Sequence, residues 1–135
     1  MPATIAVANT NEDIVELLRL ALEERGFATV RLHVDDIKRG RTDFVEFLER
    51  HDPAAFVYDV PPPYEENWIF LRLLRHVTGM RGRPVIVTTT HRPNLEKLVG
   101  PTDAIEIIGK PNDGEEAVQA VVRALGERGR RPAGE

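Results

Sequence analysis

Several features that mark well-known protein classes are missing from these 135 residues. There is no cysteine, which excludes disulfide bonds and cysteine-ligated metal sites and is typical of a reducing compartment. No hydrophobic run approaches the ~20 residues of a membrane-spanning helix. The N-terminus lacks the positively charged stretch that opens a signal peptide. We therefore expect a soluble, cytoplasmic protein.

An excess of positive charge and a glycine-rich phosphate loop are also missing. Lys and Arg total 18 against 22 Asp and Glu, so the net charge is −4, which argues against a basic nucleic-acid-binding surface. Neither Gly-x-Gly-x-x-Gly nor a loop ending in Gly-Lys-Ser/Thr occurs, so dinucleotide and nucleoside triphosphate binding lack support. We expect neither nucleic acid nor a membrane among the partners.

What is present is the composition of one globular domain, with 41% hydrophobic and 30% charged residues. Short apolar runs alternate with segments of helical periodicity. The runs predict five strands, at 4–8, 28–33, 54–58, 84–88 and 104–108. Asn11 is the predicted N-cap of the first helix, and the segment 34–41 fits no element. We assign 1–126 to the domain and 127–135, rich in Gly, Arg and Pro, to a flexible tail.

Strands that alternate with helices indicate right-handed parallel crossovers. The predicted fold is α/β: a doubly wound five-stranded parallel sheet, flavodoxin-like, with (βα)5 order. In such folds ligands bind at the carboxyl ends of the strands. Asp59 stands at the end of the third predicted strand, Thr88, Thr89 and Thr90 at the end of the fourth, and Lys110 after the fifth. A carboxylate, a hydroxyl and an ammonium at one edge suit a phosphoryl group.

Three stretches carry a resemblance to a known family. They are Phe-Val-Tyr-Asp-Val-Pro-Pro-Pro at 56–63, Pro-Val-Ile-Val-Thr-Thr-Thr at 84–90 and Gly-Lys-Pro at 109–111. Together they make the chain similar, over about residues 3–125, to the receiver domain of two-component response regulators (CheY-like). The resemblance implies that Asp59 is the phosphoacceptor, that the Thr89 hydroxyl bonds the phosphoryl oxygen and that Lys110 pairs with it. It also implies a cis bond between Lys110 and Pro111.

The sequence departs from this family at the end of the first strand. Receivers usually carry two acidic residues there to hold Mg²⁺, whereas this chain has Asn9 and Thr10. Asp59, the amide oxygen of Asn9 and the backbone carbonyl of Pro61 are then the candidate metal ligands, and we expect Mg²⁺ binding to be weakened. Glu12 or Asp13 is an alternative ligand if the alignment shifts, although both also suit the first turn of a helix.

A second departure lies at Ile107, where the family usually has an aromatic or histidine side chain that rotates when the site is phosphorylated. An isoleucine has no comparable movement. This places the usual conformational output of the family in doubt.

We expect a stand-alone receiver-type signalling module of a phosphorelay, not an enzyme, that acts through protein–protein contacts. The implied partners are a histidine kinase or phosphotransfer protein, a downstream target protein and a second copy of the chain. One alternative is a pseudo-receiver that binds its partners independently of phosphorylation. A more distant alternative is a flavodoxin-like protein that binds a small molecule.

Overall fold

The computed structural model describes residues 3–9, 11–89, 92–99, 105–109 and 115–129. The strands are β1 (Thr4–Ala8), β2 (Ala28–Arg31), β3 (Ala55–Asp59), β4 (Val85–Thr89) and β5 (Ile105–Gly109). The helices are α1 (Glu12–Glu24), α2 (Val34–Lys38), α3 (Phe44–His51), α4 (Tyr64–Arg75), α5 (Arg92–Val99) and α6 (Glu115–Gly129). One 3₁₀ turn, Thr78–Met80, follows α4. No helix within these ranges has the length and hydrophobicity needed to cross a bilayer.

The strands form one sheet in the order β2-β1-β3-β4-β5, and every neighbouring pair is parallel. Because all strands run the same way, their carboxyl ends meet at one edge of the sheet. The chain passes outward from β1 in one direction to β2 and in the other to β3. This change of direction opens a crevice at the carboxyl ends of β1 and β3, which is where ligands bind in open α/β sheets.

The sheet is buried on both faces, as a doubly wound α/β fold requires. On β1, Ala6 and Ala8 pack into one core, with Phe56 of β3 and Leu71 of α4. Ile5 and Val7 point the other way, into a second core with residues of α1 and α6. The alternation of small apolar side chains along one strand therefore feeds two separate cores.

The predicted alternation of strands and helices around a parallel sheet is confirmed, with shifts at element ends. Asn11 caps α1 as predicted, since its Oδ1 accepts hydrogen bonds from the backbone N–H groups of Asp13 (2.9 Å) and Ile14 (3.3 Å). The prediction missed α2, which lies within the unassigned segment 34–41. Val34 and Ile37 of this helix pack, partly buried, against the first core, but five residues are too few to show a helical periodicity.

The last helix extends beyond the proposed domain boundary. Helix α6 continues to Gly129, past the proposed boundary between residues 126 and 127. A glycine inside a helix costs only about 1 kcal/mol relative to alanine. The helix is held by Val118 and Val121, which are fully buried in the second core, so Gly126 does not end it.

Candidate functional site

Asp59 is the last residue of β3 and is one of the few buried polar side chains among the described residues. The strand before it is wholly apolar apart from the Tyr58 hydroxyl, so the carboxylate stands where the hydrophobic layer ends. In the β3–β4 register Asp59 lies opposite Thr88. The Thr88 Oγ1 donates a buried hydrogen bond of 2.9 Å to Asp59 Oδ1. The carboxylate is therefore held in place by a neighbouring strand.

A cleft of about 280 Å³ opens beside this carboxylate. Asp59, Asn9 and Pro61, the three predicted metal ligands, all line it. The other lining residues come from β1, β3, the start of α1, the segment from His33 through α2, and α4: they are Ala8, Glu12, His33, Val34, Asp35, Lys38, Tyr58 and Asn67. The structure thus brings the predicted ligands to one place and adds polar residues that sequence reasoning did not assign to it.

Asn9 does not offer its oxygen freely to this cleft. Its Oδ1 accepts a 2.8 Å hydrogen bond from the backbone N–H of Asn11. Its Nδ2 is buried and finds no hydrogen-bond partner within the described part of the chain. The Asn11 bond sets the orientation of the amide, because exchanging the two atoms would place NH₂ against an N–H donor. The unsatisfied group of Asn9 is therefore its NH₂, a hydrogen-bond donor.

The backbone carbonyl of Pro61 is also engaged. Asn67, in the first turns of α4, donates from Nδ2 to the carbonyl oxygens of Pro61 (2.8 Å) and Pro63 (3.1 Å). Its Oδ1 accepts a 3.2 Å hydrogen bond from Lys38 Nζ. The Lys38 ammonium lies 4.9 Å from the centre of the Phe70 ring. A chain of contacts thus connects α2, α4 and the proline loop that follows Asp59.

The three candidate metal ligands do not fit a Mg²⁺ ion, which takes hard oxygen ligands in a near-octahedral arrangement. Asp59 supplies one carboxylate, the Asn9 oxygen accepts an N–H, and the Pro61 oxygen accepts another. Glu12, an alternative ligand, also lines the cleft, and its carboxylate pairs there with Arg31. Across the described ranges no group of three or more His, Asp or Glu side chains is arranged to hold a metal ion.

The remaining residues that the sequence singled out do not line this cleft within the described part of the chain. Thr89 is fully buried at the end of β4, next to Thr88. Lys110, Pro111 and Thr10 lie outside the described residues, and so does the side chain of Ile107, whose backbone belongs to β5.

Burial beside Asp59 also affects the Tyr58 phenol. The pKa of Tyr58 is raised above its ordinary value, first because the ring is buried and second because the Asp59 carboxylate disfavours a neighbouring phenolate. The Tyr58 phenol therefore keeps its proton at alkaline pH values where an ordinary tyrosine ionises.

Sequence reasoning missed Asn67 and Lys38 as parts of this site, and it did not single out Thr88 from the three strand-end threonines as the partner of Asp59. Thr88 could have been found by aligning the ends of β3 and β4, because parallel register places it opposite Asp59. Asn67 offered a weaker signal: it is a poor helix former, four residues after the last proline of the loop. Lys38 offered none, since it lies on the unpredicted α2.

We compared the sequence and the fold with those of known proteins. No family model matches the sequence. The response regulator Rre1 of Synechocystis sp. is 25% identical over 125 residues, which are 92% of this chain and 52% of that protein. The chain thus spans about half the length of this curated relative.

Solved structures show the same fold. The signal receiver domain of a signal transduction histidine kinase from Syntrophus aciditrophicus aligns with a TM-score of 0.71 at 25% identity, over 97% of this chain and 96% of the other. The chemotaxis protein CheY4 of Vibrio cholerae aligns with a TM-score of 0.69 at 16% identity, over 93% of this chain and all of the other. Over more than nine-tenths of its length the chain thus has the fold of CheY-like receiver domains, and its sequence is similar to that of a response regulator.

Proposed function

We propose that this receiver domain is a signalling module in which Asp59 is the phosphoacceptor and the output is made through contacts with other proteins. The observation that carries the proposal is the position of Asp59. Its carboxylate ends β3, is held by Thr88 and borders a cleft of about 280 Å³. A carboxylate oxygen in such a position is a suitable nucleophile for phosphorus.

The chemistry is a single transfer. One Asp59 oxygen attacks the phosphorus of a phosphoryl donor, the bond from phosphorus to the donor's leaving group breaks, and an aspartyl phosphate forms. The Tyr58 phenol is neutral at physiological pH and adds no negative charge that would repel the incoming phosphoryl group. Because the cleft does not fit Mg²⁺, which normally neutralises charge in such transfers, we expect the reaction to be slow.

The upstream partner proposed for the module is a histidine kinase or a phosphotransfer protein, and the downstream partner is a target protein. The curated relative, itself named a response regulator, supports this assignment.

The test is incubation with acetyl phosphate, which would transfer its phosphoryl group to Asp59 and release acetate. We expect intact-mass spectrometry to show a slowly accumulating gain of one phosphoryl group that is lost in Asp59→Asn. Glu46→Gln, an exposed carboxylate on α3, is the matched control and should retain the gain. A gain of equal size in Asp59→Asn would refute Asp59 as the acceptor.

A second candidate function is favoured by the occupied oxygens of Asn9 and Pro61. In this case the domain binds its partners independently of phosphorylation, and its surface alone carries the signal. Complete absence of a phosphoryl adduct, together with an unchanged spectrum on addition of beryllofluoride, would favour this candidate over the first.

A further inference from the structure

We propose that Asn67, braced by Lys38, closes the Asp59 cleft to divalent cations by holding the carbonyl oxygen of Pro61. The inference concerns the site on which the proposed function rests. Its test reads cation binding rather than phosphorylation, so either proposal can fail without the other.

The proline loop explains why such a residue is needed. Pro61, Pro62 and Pro63 follow Asp59 and Val60, and three prolines in a row supply carbonyl oxygens but no N–H donors. Two of these oxygens receive their hydrogen bonds from the single NH₂ group of Asn67, at 2.8 and 3.1 Å. A cation that coordinated Pro61 would have to share or displace the shorter of these bonds.

Asn67 is itself held in the orientation that allows this. Its Oδ1 accepts from Lys38 Nζ at 3.2 Å, so the Lys38 ammonium selects the rotamer in which NH₂ faces the loop. The reverse orientation would bring the Asn67 NH₂ against the Lys38 ammonium and turn its oxygen towards the carbonyl oxygens. Both contacts of the reverse orientation are unfavourable, because one joins two hydrogen-bond donors and the other joins acceptors.

The charge of Lys38 acts in the same direction. Its ammonium lines the cleft together with the carboxylates of Glu12, Asp35 and Asp59 and offsets part of their negative charge. A divalent ion entering the cleft would be repelled by this ammonium, although Lys38 is exposed and the repulsion is screened by salt. We therefore assign the larger effect to the hydrogen bonds of Asn67 and a smaller one to the charge of Lys38.

The test measures Mn²⁺ binding by the electron paramagnetic resonance of free Mn²⁺, and Mg²⁺ binding by its competition with Mn²⁺. We expect no binding by the wild-type protein at millimolar metal. Asn9→Asp restores one carboxylate and should bind weakly. Adding Asn67→Ala to Asn9→Asp should strengthen binding about tenfold, because removal of one competing hydrogen bond is worth up to about that factor.

Lys38→Met in the Asn9→Asp background should strengthen binding by a smaller factor, about threefold. Lys97→Met in the same background is the matched control, since Lys97 is an exposed lysine on α5, and it should change nothing. Circular dichroism and the urea midpoint verify that each variant folds. Because Lys38 is exposed, its variant answers the question even if Asn67→Ala does not fold.

Two results would overturn the proposal. One is millimolar metal binding by the wild-type protein. The other is equal metal affinity in Asn9→Asp and in both of its double variants. Phosphorylation of Asp59 by acetyl phosphate bears on neither outcome.

Discussion

At the scale of single residues, the hydrogen bond from Thr88 to Asp59 is a buried interaction that can be tested by substitution. Thr88→Val keeps the shape of the side chain and removes the donor, which leaves a buried carboxylate oxygen short of one partner. We expect a loss of about 1 to 2 kcal/mol in the free energy of unfolding, measured by urea denaturation. Thr78→Val, at an exposed threonine, should cost far less. The same loss in an Asp59→Ala background would show that Thr88 acts through another contact.

Tyr58 predicts a dependence of stability on alkaline pH. Its pKa is raised in the folded protein, so above about pH 10 the unfolded chain ionises its tyrosine while the folded protein keeps the proton. The unfolded state then binds fewer protons, and stability falls as pH rises towards the folded-state pKa.

The measurement compares the urea stability of wild type and Tyr58→Phe between about pH 9 and about pH 11. The wild type should lose up to about 1.4 kcal/mol more per pH unit than the variant above pH 10, while the titration of lysines affects both alike. Parallel slopes for the two proteins would contradict the assignment.

At the scale of secondary-structure elements, the cap of α1 has a measurable role. The Asn11 side chain accepts from two backbone N–H groups that have no partner inside the helix. Asn11→Ala should lower the free energy of unfolding by about 1 kcal/mol, whereas Asn11→Asp, which keeps an accepting oxygen, should lose little. Urea denaturation of both variants provides the comparison, and equal losses would show that the cap bond does not contribute.

The secondary-structure elements also show which features of the fold a sequence pattern can predict. Asn11 and the five strands could be predicted, because a polar cap and a short apolar run are local features. Helix α2 could not, because five residues are too few to show a helical periodicity and its charged residues are equally typical of a loop. At the site, Asp59 and Asn9 could be predicted from strand ends. The bond between Asn67 and Pro61 could not, since it depends on how α4 packs beside the proline loop.

At the scale of the whole molecule, the sheet separates two cores that share no side chains. Leu18 of α1 lies in one core and Leu71 of α4 in the other, and both are almost fully buried. Each leucine-to-alanine change should cost about 2 to 5 kcal/mol in the free energy of unfolding. Because the two sites have no common contacts, the double variant should show the sum within about 0.5 kcal/mol.

Urea denaturation followed by both Trp68 fluorescence and circular dichroism tests this. Trp68 is buried in the same core as Leu71, whereas circular dichroism reports on all helices. Coincident transitions and additive losses are expected of a single cooperative domain. Separate transitions for the two probes would show that the cores unfold independently.

The amino-acid pattern alone was sufficient for the parallel α/β architecture and for the strand-end residues Asn9 and Asp59 that line one cleft, because strand and helix periodicities and strand ends are encoded locally. The resemblance to receiver domains further implies that Asn9 stands where that family usually has an acidic residue. Only the tertiary structure determines which atoms of Asn9 and Pro61 are available to a ligand. Their availability depends on hydrogen bonds from Asn11 and Asn67, whose orientations arise only when β1, the proline loop, α2 and α4 are packed around one cleft.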